Sequence, residues 1–197
     1  MQHPDADQPQ GRTEPRSRGQ IGAGAGGARV LILGAILAGG RSRRFGSDKA
    51  TAPFEGKPLI EHVRALVAGR VDAVVVIGRP GGIADLPRPD LGPLGGIAGA
   101  IDHAATHGFD TVLTIGCDMP RLPATLLDAL LHRAPSYCAD APVLGHWPAA
   151  LGAQLLAHID ASDRRSVRGW AETIGALPIA APTPLANVNT PDDLLAL

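Results

Sequence analysis

Three times between residues 30 and 131 a short, continuous apolar run gives way to apolar residues at helical spacing. That alternation limits the fold more than any other feature of the chain. Residues 30–37 form an apolar run, broken only by Gly34 and ending in Gly39 and Gly40, which suits a strand buried on both faces. Leu59, Ile60, Val63, Leu66 and Val67 then fall on one face of a helix. A second strand, 74–77, is closed by Gly78, and Leu94, Ile97, Ala98, Ile101, Ala104 and Ala105 make the next helical face. A third strand, 111–115, ends at Gly116-Cys117-Asp118. Pro123 suits the first turn of the helix that carries Leu126, Leu127, Leu130 and Leu131. Repeated strand and helix predict an α/β fold, a mostly parallel sheet covered on both faces. The right-handed crossover rule leaves few ways to wind it. Residues 135–190 are less regular: a strand near 141–144, helices near 151–159 and 167–174, and a strand near 177–180 are expected, with a closing helix over 191–197.

The 197 residues suffice for one well-filled domain, placed at 29–197. Residues 1–28 are rich in Gly, Pro and scattered charge, with Ile21 the one sizeable aliphatic after Met1. Such a segment buries too little apolar surface to offset its ordering entropy, and a flexible tail is expected. The glycines between Gly22 and Gly27 imitate a dinucleotide fingerprint, but no strand precedes them to give that motif its mechanism. A net charge of −1 without a basic block and an aromatic content of 3% argue against a nucleic-acid partner. Cys117 and Cys138 form no CxxC pair and are expected as free thiols. No apolar run approaches the roughly 20 residues of a membrane helix, and no signal-like segment opens the chain, so a cytoplasmic location away from membranes is expected.

The most informative stretch is LAGGRSRRFGSDK, residues 37–49. It leaves the carboxyl end of the first strand, where open α/β sheets bind ligands. Gly39 and Gly40 let backbone N–H groups approach phosphate oxygens, and Arg41, Arg43, Arg44 and Lys49 add positive charge. A triphosphate, with roughly four negative charges, needs such neutralisation. The P-loop pattern GxxxxGK followed by Ser or Thr is absent, so this is a different phosphate cradle. Asp118 follows the third strand at the same sheet edge, and a single carboxylate there suits Mg²⁺, which completes its octahedron with water and phosphate. The histidines show no metal-ligand spacing, and no GxSxG elbow is present.

The stretch LAGGRSRRFGSDKA, followed by Gly56-Lys57-Pro58-Leu59, resembles the signature of the molybdenum cofactor guanylyltransferases, members of the Rossmann-like nucleotidyltransferase superfamily. Three further motifs keep the family order: Gly92-Pro93-Leu94-Gly95-Gly96, Cys117-Asp118-Met119-Pro120, and Asn187-Val188-Asn189-Thr190-Pro191-Asp192-Asp193-Leu194. The resemblance spans residues 34–197. It implies a three-layer Rossmann-like nucleotidyltransferase fold, and an enzyme that transfers GMP from GTP to the terminal phosphate of molybdenum-bearing molybdopterin, releasing pyrophosphate. It implies nucleotide binding by Leu37, Ala38, Gly39, Gly40, Lys49, Asp90 and Asp118, catalytic roles for Lys49 and Arg44, and Mg²⁺ on Asp118. Asn187 and Asn189 match residues near the family's active-site cleft, while Thr190 serves as a cap for the last helix. Transient contact with molybdoenzyme apoproteins or cofactor chaperones is a further implication.

The chain departs from the family in places. Phe45 replaces a usual Met, for which a repacked loop is expected. Gly78 stands where an Asn commonly contacts the nucleotide. Trp147, Pro148, Arg165, Arg168 and Trp170 are candidates for the molybdopterin side of the cleft, although a Trp on a helical face, as at 170, is more often core and is not taken as a site residue. Two alternatives remain beside GTP transfer. One is a sister cytidylyltransferase using CTP, whose loop typically begins LAAG rather than LAGG. The other is a non-catalytic nucleotide-binding molybdopterin chaperone.

Overall fold

A computed structural model describes residues 29–39, 45, 48–161, 165–195 and 197. Gly40, Arg41, Arg43, Arg44, Gly46 and the expected tail at 1–28 lie outside the described residues. The strands are β1 (Ile32–Leu37), β2 (Pro53–Phe54), β3 (Lys57–Pro58), β4 (Ala73–Ile77), β5 (Thr111–Gly116), β6 (Ser136–Cys138), β7 (Gly145–Pro148) and β8 (Leu177–Ile179). The helices are α1 (Leu59–Ala68), α2 (Pro93–Thr106), α3 (Ala124–Leu131), α4 (Gly152–Ala161), α5 (Val167–Thr173) and α6 (Pro191–Leu195). Six strands form one sheet in the order β4-β1-β5-β7-β6-β8, and β2 pairs antiparallel with β3.

The β4, β1 and β5 strands run parallel, with Ile36 opposite both Val76 and Ile115. Strand β1 shows why an apolar run was needed. Leu33 and Ala35 point into a core beneath α2, α4 and α5, while Ile36 joins the core under α1 and α3. Side chains alternate across the pleat, so a strand covered on both faces has no polar side. On α2, Leu94, Ile97, Ala98, Ile101 and Ala104 are all buried. Its Gly99 lies so close to the preceding loop that a Cβ there would stand 2.2 Å from the Ala84 carbonyl oxygen. No helix among the described residues is long and apolar enough to cross a membrane.

One expected strand is corrected. Residues 141–144 form the turn between β6 and β7, which pair antiparallel on either side of it. Ala141 N–H donates to the Cys138 carbonyl and Leu144 N–H to the Ala141 carbonyl, while Pro142 has no N–H to offer a ladder. Strand β7 also runs antiparallel to β5, so the sheet is mixed at this point. Its sequence, Gly145-His146-Trp147-Pro148, resembles a turn because its polar members are paired out of sight. Trp147 Nε1 donates to Thr114 Oγ1 at 2.8 Å, and the His146 ring bonds Thr111 Oγ1 at 2.8 Å. Burial holds the His146 pKa below the usual imidazole value. The closing helix ends at Leu195.

Trp147 is corrected as a cleft-lining candidate, while Trp170 is core, as its place on a helical face suggests. Trp147 and Trp170 are fully buried, with ring centroids 4.7 Å apart, in the core on the α2 side of the sheet. Large aromatic surfaces stabilise most when removed from water, and neither ring is among the residues that line the cleft at the sheet edge. Arg165 and Arg168 are exposed, and Arg168 bonds the Ala139 carbonyl.

Trp147 lies across Gly145 so closely that a Cβ at 145 would stand 2.1 Å from the indole. Gly145→Ala therefore forces the ring from its seat. Urea unfolding should show a loss of about 1–3 kcal/mol, the usual cost of overpacking.

Candidate active site

The carboxyl ends of β1, β4 and β5 open onto a cleft of about 460 Å³. Leu37, Ala38, Gly39, Lys49, Asp85, Asp90, Gly96, Cys117 and Asp118 are among the residues that line it. The ladder fixes how the first loop leaves the sheet: Ala38 N–H donates to the Ile77 carbonyl at 3.1 Å, and Cys117 N–H donates to the Leu37 carbonyl at 3.0 Å. Gly92 and Pro93 also line the cleft, so the amino end of α2 opens on it and contributes a positive dipole end.

Lys49 and Asp118, 69 residues apart, meet here. Lys49 Nζ lies 3.1 Å from Asp118 Oδ2 and donates to the Val188 carbonyl at 2.8 Å. An ammonium has three N–H groups, and among the described residues two are engaged. Val188 also donates its own N–H to the Asp118 carbonyl at 2.9 Å. The C-terminal segment thereby holds lysine and aspartate to one short stretch of backbone. Val188 can do this because it is fully buried beside Phe45, Ala52, Phe54 and Leu59. Phe45, in the place of the family Met, is an anchor of that cluster.

Lys49 opens a 3-10 turn, Lys49–Thr51, capped by Asp48, whose carboxylate accepts from Ala50 N–H. Asn187 and Asn189 are exposed on either side of Val188, beside the lysine. Thr190 and Asp193 bond reciprocally at the start of α6: Asp193 accepts from the Asn189 and Thr190 N–H groups, and Thr190 Oγ1 accepts from Asp193 N–H. These bonds draw the Asp193 pKa below the ordinary carboxylate value. Capping thus accounts for Thr190, and anchoring Val188 accounts for the segment as a whole.

The Asp118 carboxylate has a second constraint. A Cβ on Gly116 would stand 2.3 Å from Asp118 Oδ1, so the acid folds back over a bare glycine. Its side chain is 30% exposed, facing the cleft. Among the described residues no group of three or more His, Cys, Asp or Glu could hold a metal unaided. A single hard oxygen donor at the edge of an open cleft fits Mg²⁺, which retains water and takes the remaining oxygens from phosphate. Cys117, between these residues, is held in its thiol form: burial first, then the Asp118 charge, push its pKa up to about 11.

Asp90 reaches the cleft rim with a positive φ of 63°. Its loop also carries Asp85, which the motifs did not single out. Asp85 lies deeper, against Gly78, Gly95 and Gly96, and desolvation followed by the Asp90 charge raises its pKa. Nothing in Ile83-Ala84-Asp85-Leu86-Pro87 distinguishes it from a surface acid. Only the return of this loop onto β4, with Ile83 bridged to Ile77, makes it part of the site. Gly78 is explained by backbone geometry. Its φ is +79°, and a Cβ would stand 2.7 Å from Gly39 Cα. Position 78 in this chain is where two loops touch, and it leaves no room for a side chain.

A family profile described as MobA-like NTP transferase domain matches residues 34–177. The chain belongs to this family. A molybdenum cofactor guanylyltransferase of Rhodobacter capsulatus is 38% identical over 179 residues, covering 84% of this chain and 94% of its own. One from Rhizobium leguminosarum bv. trifolii is 35% identical over 84% of this chain and 91% of its own. Among solved structures, the Archaeoglobus fulgidus molybdopterin-guanine dinucleotide biosynthesis protein A superposes with a TM-score of 0.64, at 23% identity. That match covers 83% of this chain and 95% of the other, and shows the shared fold. This MobA-like chain is thus a nucleotidyltransferase with a Rossmann-like sheet.

Gly116→Ala tests the seat of Asp118. The atom in the way is the free end of a side chain, so the fold should unfold at the wild-type denaturant midpoint. The displaced carboxylate should lower nucleotidyl-transfer turnover by about a hundredfold, as misplacements near 1 Å do.

Proposed function

We propose that this chain transfers GMP from GTP to the terminal phosphate of molybdenum-bearing molybdopterin, releasing pyrophosphate. The observation that carries the reading is the meeting of Lys49 Nζ and Asp118 Oδ2 at 3.1 Å inside the cleft at the carboxyl edge of the sheet. Cation and metal-holding acid can then serve one triphosphate. The names of the relatives in Rhodobacter capsulatus and Rhizobium leguminosarum support the choice of nucleotide and acceptor.

In this mechanism the backbone at 37–39 faces the phosphates, and Lys49 neutralises charge that grows on the α- and β-phosphate oxygens. Arg44, carried by the same loop, shares that task. An oxygen of the acceptor phosphate attacks the α-phosphorus in line, the bond from that phosphorus to the β-phosphate bridging oxygen breaks, and pyrophosphate leaves. The acceptor is ionised near neutral pH, so no strong general base is needed. Positioning and charge neutralisation supply most of the rate. Asp118 would hold Mg²⁺, which when bound supplies Lewis-acid neutralisation of phosphate oxygens. Asp85 and Asp90 present acceptor oxygens deeper in the cleft and at its rim, where the N–H donors of a purine base can be read.

The loop beginning LAGG, with Gly39, supports GTP over CTP through the family resemblance alone. A Cβ at 39 would meet the Gly78 backbone at 3.3 Å, so LAGG rather than LAAG suits this chain's loop contact. Calorimetric titration with GTP and CTP in the presence of Mg²⁺ should give tighter binding of GTP. Tighter CTP binding makes the chain a cytidylyltransferase. Pyrophosphate release on mixing GTP, Mg²⁺ and loaded pterin excludes the non-catalytic chaperone.

Lys49→Ala and Asp118→Ala should each lower pyrophosphate release by at least about a hundredfold, the scale of losing one preorganised charge at a reacting phosphate. Each should keep the wild-type circular dichroism spectrum. Wild-type turnover in Lys49→Ala would overturn the assignment.

A further inference from the structure

Arg79, at the end of β4, has no role in the mechanism above, yet it grips the segment that carries Lys49. Arg79 Nη1 donates to Asp48 Oδ1 at 2.7 Å and Nη2 donates to Asp48 Oδ2, a two-pronged match of guanidinium and carboxylate. Asp48 is also the cap of the turn that begins with Lys49. The pair shifts both partners as expected, the Asp48 pKa downward and the Arg79 pKa upward.

The other end of the same loop is fastened one residue away. Gly39 touches Gly78 backbone to backbone: a Cβ at 78 would stand 2.7 Å from Gly39 Cα, and one at 39 would press on the Gly78 backbone at 3.3 Å. The loop thus leaves β1 at Gly39 and returns at Asp48, with both ends mounted on the dipeptide Gly78-Arg79. An ion pair this near the surface contributes little to overall stability, with the Arg79 side chain 24% and the Asp48 side chain 46% exposed. Its directional fork is well suited to setting where the next residue points.

We propose that Arg79 is a positioning residue: through Asp48 it fixes the turn that presents Lys49, and it does not itself touch the nucleotide. This rests on the reading of Lys49 as the phosphate-neutralising cation. The alternative is that Arg79 is a direct phosphate ligand held aside by Asp48.

A double-mutant cycle separates the two. Wild type, Arg79→Ala, Asp48→Ala, the double variant and Arg79→Lys are compared in pyrophosphate release with GTP, Mg²⁺ and loaded pterin. Each single Ala variant should lose about tenfold to a hundredfold, mostly in kcat, because a cation misplaced by a fraction of an ångström fails chiefly in the transition state. The double variant should be no worse than either single, and Arg79→Lys, which keeps the charge without the fork, should recover only part of the loss. Losses that multiply in the double variant, or an Arg79→Ala defect confined to the KM for GTP, would overturn the proposal.

A second measurement needs no turnover. Lys49 and Lys57 are the lysines of the chain, and Lys57 is exposed on the β2–β3 hairpin. Brief acetic anhydride labelling, read by mass spectrometry, should acetylate Lys49 several-fold faster relative to Lys57 in Arg79→Ala than in wild type. An unchanged ratio would overturn the proposal even if wild type proved inactive with GTP, a result that would separately remove the guanylyl-transfer reading.

Discussion

The site depends on an ammonium and a carboxylate brought together from opposite ends of a long sequence separation. Alone, Lys49 and Asp118 would be two solvated side chains with little mutual attraction. They meet because β1 and β5 are hydrogen-bonded neighbours in register, with Leu37 opposite Gly116, so the loops that follow leave the sheet side by side. The pair is then tied to the Val188 backbone, which receives one Lys49 N–H and donates to the Asp118 carbonyl. Burial of the Val188 side chain makes that tether firm. The core beneath the sheet is in this sense the source of the site's geometry.

Glycines do much of the shaping around that pair, each for a different reason. Gly116 leaves space for the Asp118 carboxylate to fold back, and Gly39 and Gly78 allow two loops to touch. Gly99 draws α2 against the loop that carries Asp85. Close approach of backbone to backbone is what lets main-chain N–H groups face a polyanion with few intervening side chains. The charged side chains then need only supply neutralisation.

Much of this was legible in the chain because strong local signals and the sheet's topology agree. Apolar runs buried on both faces, Leu37 to Gly39 at the end of the first and Asp118 at the end of the third, together imply a shared edge. The hairpin of β6 and β7 was not legible. Its Gly145 and Pro148 imitate turn residues, and its polar His146 is satisfied by Thr111 and Leu130 from other elements. Trp147 was a candidate for the ligand side of the cleft, whereas its bulk is spent on packing against Trp170, whose helical face marked it as core. Asp85 and the Arg79–Asp48 fork were missed for a related reason. Each acquires its meaning only from a partner in a distant segment, and a lone acid or arginine in a loop carries no local trace of that partner.

The most direct test of the central claim is a crystal structure with Mn²⁺ and a GTP analogue that cannot be cleaved between the α- and β-phosphates. The account predicts the triphosphate across the carboxyl ends of β1 and β5, Lys49 Nζ within hydrogen-bond distance of its oxygens, and the anomalous manganese peak at the Asp118 carboxylate. A triphosphate bound elsewhere, or one that reaches neither Lys49 nor Asp118, would contradict it.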